Sequence, residues 1–229
     1  EVRRPSRKVG IVYQDYGLYE FLTSRDNVAF GLMLDQTALW RRCLRPVWWR
    51  RLRATHQQQA VEMLQRVKLA EAIHHFPSEM SGGMRQRVAI AQSLIMQPKI
   101  LLLDEPFGAL DEATREELQL MLLHLYDDNQ KAIARGELPP YTILIVTHEL
   151  NEAIYVADRV VGLSQYHQDG KQGAKIVYDK PAPVFKPGDP VDFEKFEQQK
   201  DELRSAVFDP ENVRHHTEFV TFWKEVADR

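Results

Sequence analysis

Three short runs of aliphatic and β-branched residues stand out from an otherwise mixed chain: residues 9–13 (Val-Gly-Ile-Val-Tyr), 99–103 (Lys-Ile-Leu-Leu-Leu) and 142–146 (Thr-Ile-Leu-Ile-Val). Continuous apolar runs of this length predict buried strands. Each ends on a polar group, at Gln14-Asp15, Asp104-Glu105-Pro106 and Thr147-His148. From 27 to about 97 the pattern is mostly helical, interrupted at Pro46 and at the break Pro77-Ser78-Glu79-Met80-Ser81-Gly82-Gly83, with a new helix expected near Met84. Strands separated by helical stretches predict an α/β fold with a parallel sheet, in which chemistry gathers beyond the carboxyl ends of the strands. Gln14, Asp104, Glu105 and His148 all fall there.

After Ser164 the pattern changes. Gly170, Gly173, Pro181, Pro183, Pro187 and Pro190 punctuate a polar stretch that reads as a connector. Residues 194–229 are rich in charge, with Phe219, Phe222 and Val226 at helical spacing, and predict a helical tail. The expected organisation is therefore one main domain over 1–170, with a helical subdomain at about 20–97, followed by connector and tail over 171–229. No internal repeat is visible.

Composition narrows the picture. At 229 residues the chain is long enough to bury a sizeable core. Its 33 acidic and 30 basic residues nearly balance, so no global field points to nucleic acid. The single Cys43 cannot form an internal disulfide, and no leader pattern opens the sequence, which favours the cytoplasm. The longest apolar runs fall far short of the roughly 20 residues that span a bilayer, so any membrane association is expected to be peripheral.

Two constellations carry candidate chemistry. A strand that delivers Asp104-Glu105 to a sheet edge suits metal-dependent phosphoryl chemistry: Asp104 is the candidate Mg²⁺ residue and Glu105 the candidate base for an attacking water. The same pattern also describes a solvated loop end. Ser81-Gly82-Gly83 stands before the helix that carries Met84-Arg85-Gln86-Arg87. Glycines permit close approach and a helix N-terminus offers free N–H groups to a phosphate, yet serine and glycine are equally ordinary helix-capping residues.

Taken in order, the motifs resemble one family. Met80-Ser81-Gly82-Gly83-Met84-Arg85-Gln86-Arg87 resembles the signature motif of ABC ATPases, in the variant with methionine as its fifth residue. Residues 100–106 resemble the family's Walker B strand, Gly108-Ala109-Leu110-Asp111 its D-loop, Val146-Thr147-His148-Glu149 its switch-histidine loop and Tyr13-Gln14-Asp15 its Q-loop. The resemblance covers about residues 9–164 and implies a P-loop NTPase-like (RecA-like) parallel-sheet core with a helical subdomain. It implies ATP and Mg²⁺ as ligands, with Glu105, His148 and Gln14 catalytic. Ser81, Gly82, Gly83, Gln86 and Asp111 would act at the nucleotide, and Asp104 with Gln14 at the metal. It further implies head-to-tail pairing with a second ATPase subunit, so that each signature motif completes the partner's site.

The phosphate-cradling pattern Gly, four residues, Gly-Lys and Ser or Thr has no match in these residues. Only thirteen residues precede Gln14, fewer than the roughly 30 of a βαβ unit, so the expectation is an N-terminally truncated fold that lacks Walker A. The alternatives are a fragment of an active ATPase, or a degenerate subunit that lends its signature motif to a catalytic partner. A non-transport ABC ATPase is a further alternative.

Among ABC proteins the chain looks most like the ATPases of nitrate, sulfonate and taurine importers. That resemblance implies a motor on the cytoplasmic face of the membrane, a separate transmembrane permease and, indirectly, an extracytoplasmic solute-binding protein, with no nucleic-acid partner. One segment departs from the family's usual helical subdomain: residues 40–53 concentrate arginine and tryptophan. They read either as a docking patch for the permease or anionic headgroups, or as a helical hairpin with inward tryptophans and solvated arginines.

Overall fold

The computed structural model describes residues 7–37, 39–108, 110–164, 174–183, 185 and 192–208. Strands β1 (Val9–Val12), β2 (Ile100–Asp104) and β3 (Thr142–Val146) form a parallel sheet in the order β1-β2-β3. The register pairs Val12 with Leu103 and Asp104 with Val146, which brings the polar strand ends to one edge. The helices are α1 (Ser24–Gln36), α2 (Leu39–Leu44), α3 (Pro46–Arg66), α4 (Gly82–Leu94), α5 (Glu112–Ala134), α6 (Leu150–Val156) and α7 (Phe193–Val207). Strands β4 (Arg159–Leu163) and β5 (Ile176–Pro181) pair antiparallel.

The helical stretch folds as its punctuation suggests. Pro46 occupies the first turn of α3, where a missing N–H costs nothing. The glycine-rich break is a 3₁₀ turn at Pro77–Glu79 followed by Ser81 as the N-cap of α4, so α4 begins two residues before the expected Met84. Helices α1, α3 and α4 bury Val28, Leu32, Ala60, Leu64, Val88 and Ala91 in one apolar core. Burial of a whole aliphatic side chain contributes about 1.5–3 kcal/mol. Asn27 is fully buried beneath the loop that precedes α1, and is satisfied there. Its Oδ1 accepts from Tyr19 N at 2.8 Å, and its Nδ2 donates to Tyr19 O and Leu22 O at 3.1 and 3.0 Å. That network pins the chain between β1 and α1.

Burial of the strands is one-sided. Val12, Leu101 and Leu103 are buried, whereas Ile11, Leu144 and Val146 are exposed. The described cover is α4, tied to β1 by a 3.2 Å hydrogen bond from Ser93 Oγ to Ile11 O. The expectation of uniformly buried runs is corrected accordingly.

Backbone contacts divide the chain into two compact units, 1–147 and 148–229, whereas the shift in composition lies near 170. The second unit has its own core of Ile154, Val160, Tyr178, Phe185 and Leu203. Part of the expected connector is strand β5, and the expected tail begins as α7, whose Gln199 Nε2 donates to Pro181 O at 2.9 Å. Phe219, Phe222 and Val226, on which the rest of the tail reading stood, lie outside the described residues, as does Ala109 of the D-loop-like motif. No helix among the described residues is long and apolar enough to cross a membrane.

Candidate functional site

The parallel register sets Gln14, two residues past β1, beside the carboxylates at the end of β2. Gln14 Nε2 donates to Glu105 Oε2 over 3.2 Å. Glu105 N donates to Val146 O at 2.9 Å, and Glu105 O accepts from Gly108 N at 3.3 Å, so the backbone around this carboxylate is fixed from two sides. Glu105 itself sits at φ +45°, a left-handed conformation that costs a side-chain-bearing residue about 1–3 kcal/mol and that tends to cluster at functional sites. A Cβ at Gly108 would stand 3.6 Å from Glu105 Oε2. Glycine there leaves the space in front of the carboxylate open.

Asp104 is exposed at the same edge. With Gln14 Nε2 committed to Glu105, its Oε1 and the Asp104 carboxylate are hard oxygen donors of the kind Mg²⁺ takes. No cluster of three or more His, Cys, Asp or Glu that could hold a metal forms among the described residues. A Mg²⁺ ion at this edge would therefore need phosphate oxygens and water to complete its six-fold shell.

Two helix N-termini make the second part of the site. Ser81 caps α4, its Oγ accepting from Met84 N at 3.3 Å; a hydroxyl that accepts in this way still has its proton to donate. Asp111 caps α5, its Oδ1 accepting from Thr114 N at 3.0 Å. That backbone N–H, with the Thr114 hydroxyl second, holds the Asp111 carboxyl below its ordinary range. The two ends are pressed together: a Cβ at Gly83 would lie 1.8 Å from Thr114 Cγ2, so only glycine fits. Arg87 reinforces the contact, its Nη1 3.0 Å from Glu117 Oε2 of α5. Both helices exceed three turns, and the positive ends of their dipoles lie side by side.

Three residues that sequence reasoning did not single out connect these parts. Tyr16 and Gly17 follow Gln14 at φ +67° and +61°, making a tight left-handed turn. That turn sets the Tyr16 ring under the Arg85 guanidinium of α4, 5.3 Å from the ring centroid. The third is Thr114. The Tyr-Gly pair after Gln14-Asp15 is a turn signal in sequence, but nothing in the sequence marks the contact with Arg85.

Gln86, expected among the nucleotide-contacting residues, lies on the buried side of α4. Its side chain is 1% exposed and its Nε2 has no hydrogen-bond partner among the described residues. Gly83, Gln86, Ile90 and Leu94 share the spacing of one helix face, and that face is the buried one. His148 opens the second compact unit. Its Nε2 lies 3.8 Å from Glu149 Oε1, and with Lys200, Arg204 and Phe208 it lines an open groove of that unit.

Residues 1–108 match the protein-family model described as ABC transporter. The chain carries an ABC transporter ATP-binding domain. The sulfate/thiosulfate import ATP-binding protein CysA of Salmonella typhi is 41% identical over 179 residues, covering 78% of this chain and 44% of that protein. Its counterpart from Thermosynechococcus vestitus is 37% identical, with 78% and 46% covered, and that of Bacillus cereus 36%, with 81% and 46%. The chain thus spans somewhat under half the length of these curated relatives. An ATP-binding cassette solved as a dimer in a post-hydrolysis state with ADP and Pi is 27% identical, with a TM-score of 0.54 over 78% of this chain and 64% of that one. A bacterial ABC transporter cassette solved as a dimer gives a TM-score of 0.53 over the same shares. The ABC domain is an α/β, P-loop NTPase-type fold of the ATPase-cassette kind.

Proposed function

We propose that this ABC domain is the ATP-hydrolysing part of an importer motor, acting in a head-to-tail pair on a separate transmembrane permease at the cytoplasmic face of the membrane. The observation that carries the reading is the Gln14–Glu105 contact of 3.2 Å, at the strand edge that also bears Asp104. The importer names of the relatives and the dimeric state of the solved cassettes support the partners.

In this mechanism Glu105 orients the attacking water and accepts its proton, while Gln14 Nε2 holds Glu105 Oε2 in place. Asp104 and Gln14 Oε1 would hold Mg²⁺, which neutralises charge on the phosphate oxygens when bound. Ser81 Oγ and the first N–H groups of α4 face the γ-phosphate held by the partner subunit, because a helix N-terminus favours an anion. Gly82 keeps that approach free of a side chain, and Gly83, whose Cβ would meet Thr114, lets α5 pack behind it and offers its backbone N–H. Asp111 links the two sites of the pair, and His148 contacts the γ-phosphate of its own site. The water oxygen would bond to the γ-phosphorus as the bond to ADP breaks, and release of the freed phosphate removes the anion that holds the pair closed, so that reopening moves the permease. The resemblance to nitrate, sulfonate and taurine ATPases and the sulfate/thiosulfate names of the relatives share one cargo chemistry, a small oxyanion. An extracytoplasmic binding protein would present it, and its selection would lie with that protein and the permease.

The test is Mg-ATP hydrolysis by the complete gene product reconstituted with its permease and binding protein. Hydrolysis that rises with permease and cargo supports the motor. An assembly that imports its cargo without consuming ATP would overturn it.

A further inference from the structure

We infer that the hairpin formed by α2 and the first turns of α3 is a direct binding surface for an anionic lipid bilayer. Between Gln36 and Val61 the sequence has six arginines and neither aspartate nor glutamate, in a chain whose formal net charge is −3. A basic surface is thus concentrated in one short segment.

The side chains there divide into two sets. Trp49 packs on the apolar core of the helical region, and Arg42 lies over its ring at 4.6 Å while its Nε donates to Thr37 Oγ1 at 2.9 Å. That pair is internal structure and secures the hairpin to the domain. On the outer side, Trp40, Leu44, Val47 and Trp48 are 60, 72, 64 and 40% exposed, and Arg45, Arg50, Arg51 and Arg53 are exposed among them. Trp40 and Leu44 are one turn apart on α2, as are Val47 and Arg51 on α3, so large apolar and cationic groups occur together on the outward faces. A solvated hairpin would account for the arginines but not for two outward tryptophans and two outward aliphatic residues beside them.

The mixture identifies the occupant. Exposed leucine and valine gain from an acyl boundary and gain nothing from a phosphodiester backbone. Tryptophan is favoured at headgroup depth, and arginine pairs with lipid phosphate in a bidentate manner. The absence of any carboxylate from the segment removes the repulsion that an anionic surface would otherwise meet. The surface lies apart from Gln14, Glu105 and Ser81 in sequence, and it does not depend on the proposed catalysis.

The experiment is flotation of the full chain with vesicles of phosphatidylcholine alone and of phosphatidylcholine mixed equally with phosphatidylglycerol. The expected result is flotation with the mixed vesicles only, weakened by high salt. Arg50→Gln with Arg51→Gln should weaken partitioning roughly 25-fold, taking each near-surface basic residue as worth about fivefold. Leu44→Ser with Trp48→Ser should weaken it at every salt concentration, since that loss is not electrostatic. Thermal unfolding midpoints equal to that of the unaltered chain, expected for exposed positions, establish that the variants are folded. Failure to float with mixed vesicles, or flotation unchanged in the folded arginine variant, would overturn the inference. Flotation only with vesicles that contain reconstituted permease would overturn it in favour of a protein dock, and displacement of the chain from mixed vesicles by an equimolar oligonucleotide would do so in favour of nucleic acid.

Discussion

Gln14 donates to Glu105 across the carboxyl edge of the sheet, and two residues later the same loop passes Tyr16 beneath Arg85 of α4. One tight turn therefore touches both the candidate base and the helix that begins with the signature serine. A change at the nucleotide that moves Gln14 has a short mechanical route to α4, through an aromatic–cation contact worth about 0.5–2 kcal/mol.

Removal of the Gln14 amide leaves the Glu105 carboxylate in place but unheld. A hydrogen bond to a charged group contributes about 1.5–3 kcal/mol, so Gln14→Ala should lower kcat by roughly 10- to 100-fold. Its effect on KM for ATP should be the smaller one, because Asp104, phosphate oxygens and water would still hold the Mg²⁺ that Gln14 Oε1 helps to bind, whereas the Gln14 Nε2 contact with Glu105 Oε2 is lost outright. Steady-state kinetics of the complete gene product separate the two parameters; a rise in KM with unchanged kcat would place Gln14 in ATP binding instead.

The close contact of Gly83 with Thr114 makes a sharp stability prediction. Gly83→Ala drives a methyl group into Thr114 Cγ2 and should destabilise the domain by about 1–3 kcal/mol. Thr114→Ser removes that methyl, so the double variant should recover much of the loss, as a double-mutant cycle in urea reads directly. Equal losses in the single and double variants would mean that α4 and α5 do not meet at this point.

His56 is buried on α3, with Nε2 3.0 Å from Gln36 Oε1. Burial, and then the charge of Arg42, lower its pKa below the ordinary value. In the unfolded chain it titrates near 6.5. Below that pH the unfolded state binds a proton that the folded state resists, so stability falls as pH falls below about 6.5 and is regained above it. His56→Gln should flatten this part of the stability profile while lowering stability at neutral pH. An unchanged slope in the variant would assign the pH dependence to other groups.

In the second unit, α7 is packed structure. Leu203 is 2% exposed, and a Cβ at Gly162 of β4 would stand 2.8 Å from Val207. Leu203→Ala should cost about 2–5 kcal/mol and loosen α7, readable as faster amide exchange over Phe193–Val207. Unchanged exchange there would mean that α7 does not depend on this contact.

The order of strands and helices, and the positions of Asp104, Glu105 and Ser81 at element ends, were legible because continuous apolar runs and glycine-rich breaks are local signals. The buried face of α4 was legible too, in the spacing of Gly83, Gln86, Ile90 and Leu94, but the motif drew Gln86 toward the nucleotide. The β4–β5 pair escaped notice because proline and glycine around Pro181 resemble a connector when read without the partner strand. The Gly83–Thr114 and Tyr16–Arg85 contacts join residues roughly 30 and 70 positions apart, and no period in the sequence records such pairs.

The most direct measurement on the proposed motor is ATP-dependent association of the complete gene product carrying Glu105→Gln, followed by light scattering in Mg-ATP. With the proton acceptor removed and the nucleotide contacts intact, turnover should fall by about 100-fold or more, and ATP should hold a stable pair that Ser81→Arg prevents from forming. Normal turnover by Glu105→Gln, or a pair that forms equally well without ATP, would contradict Glu105 as the base and Ser81 as the group that closes the partner's site.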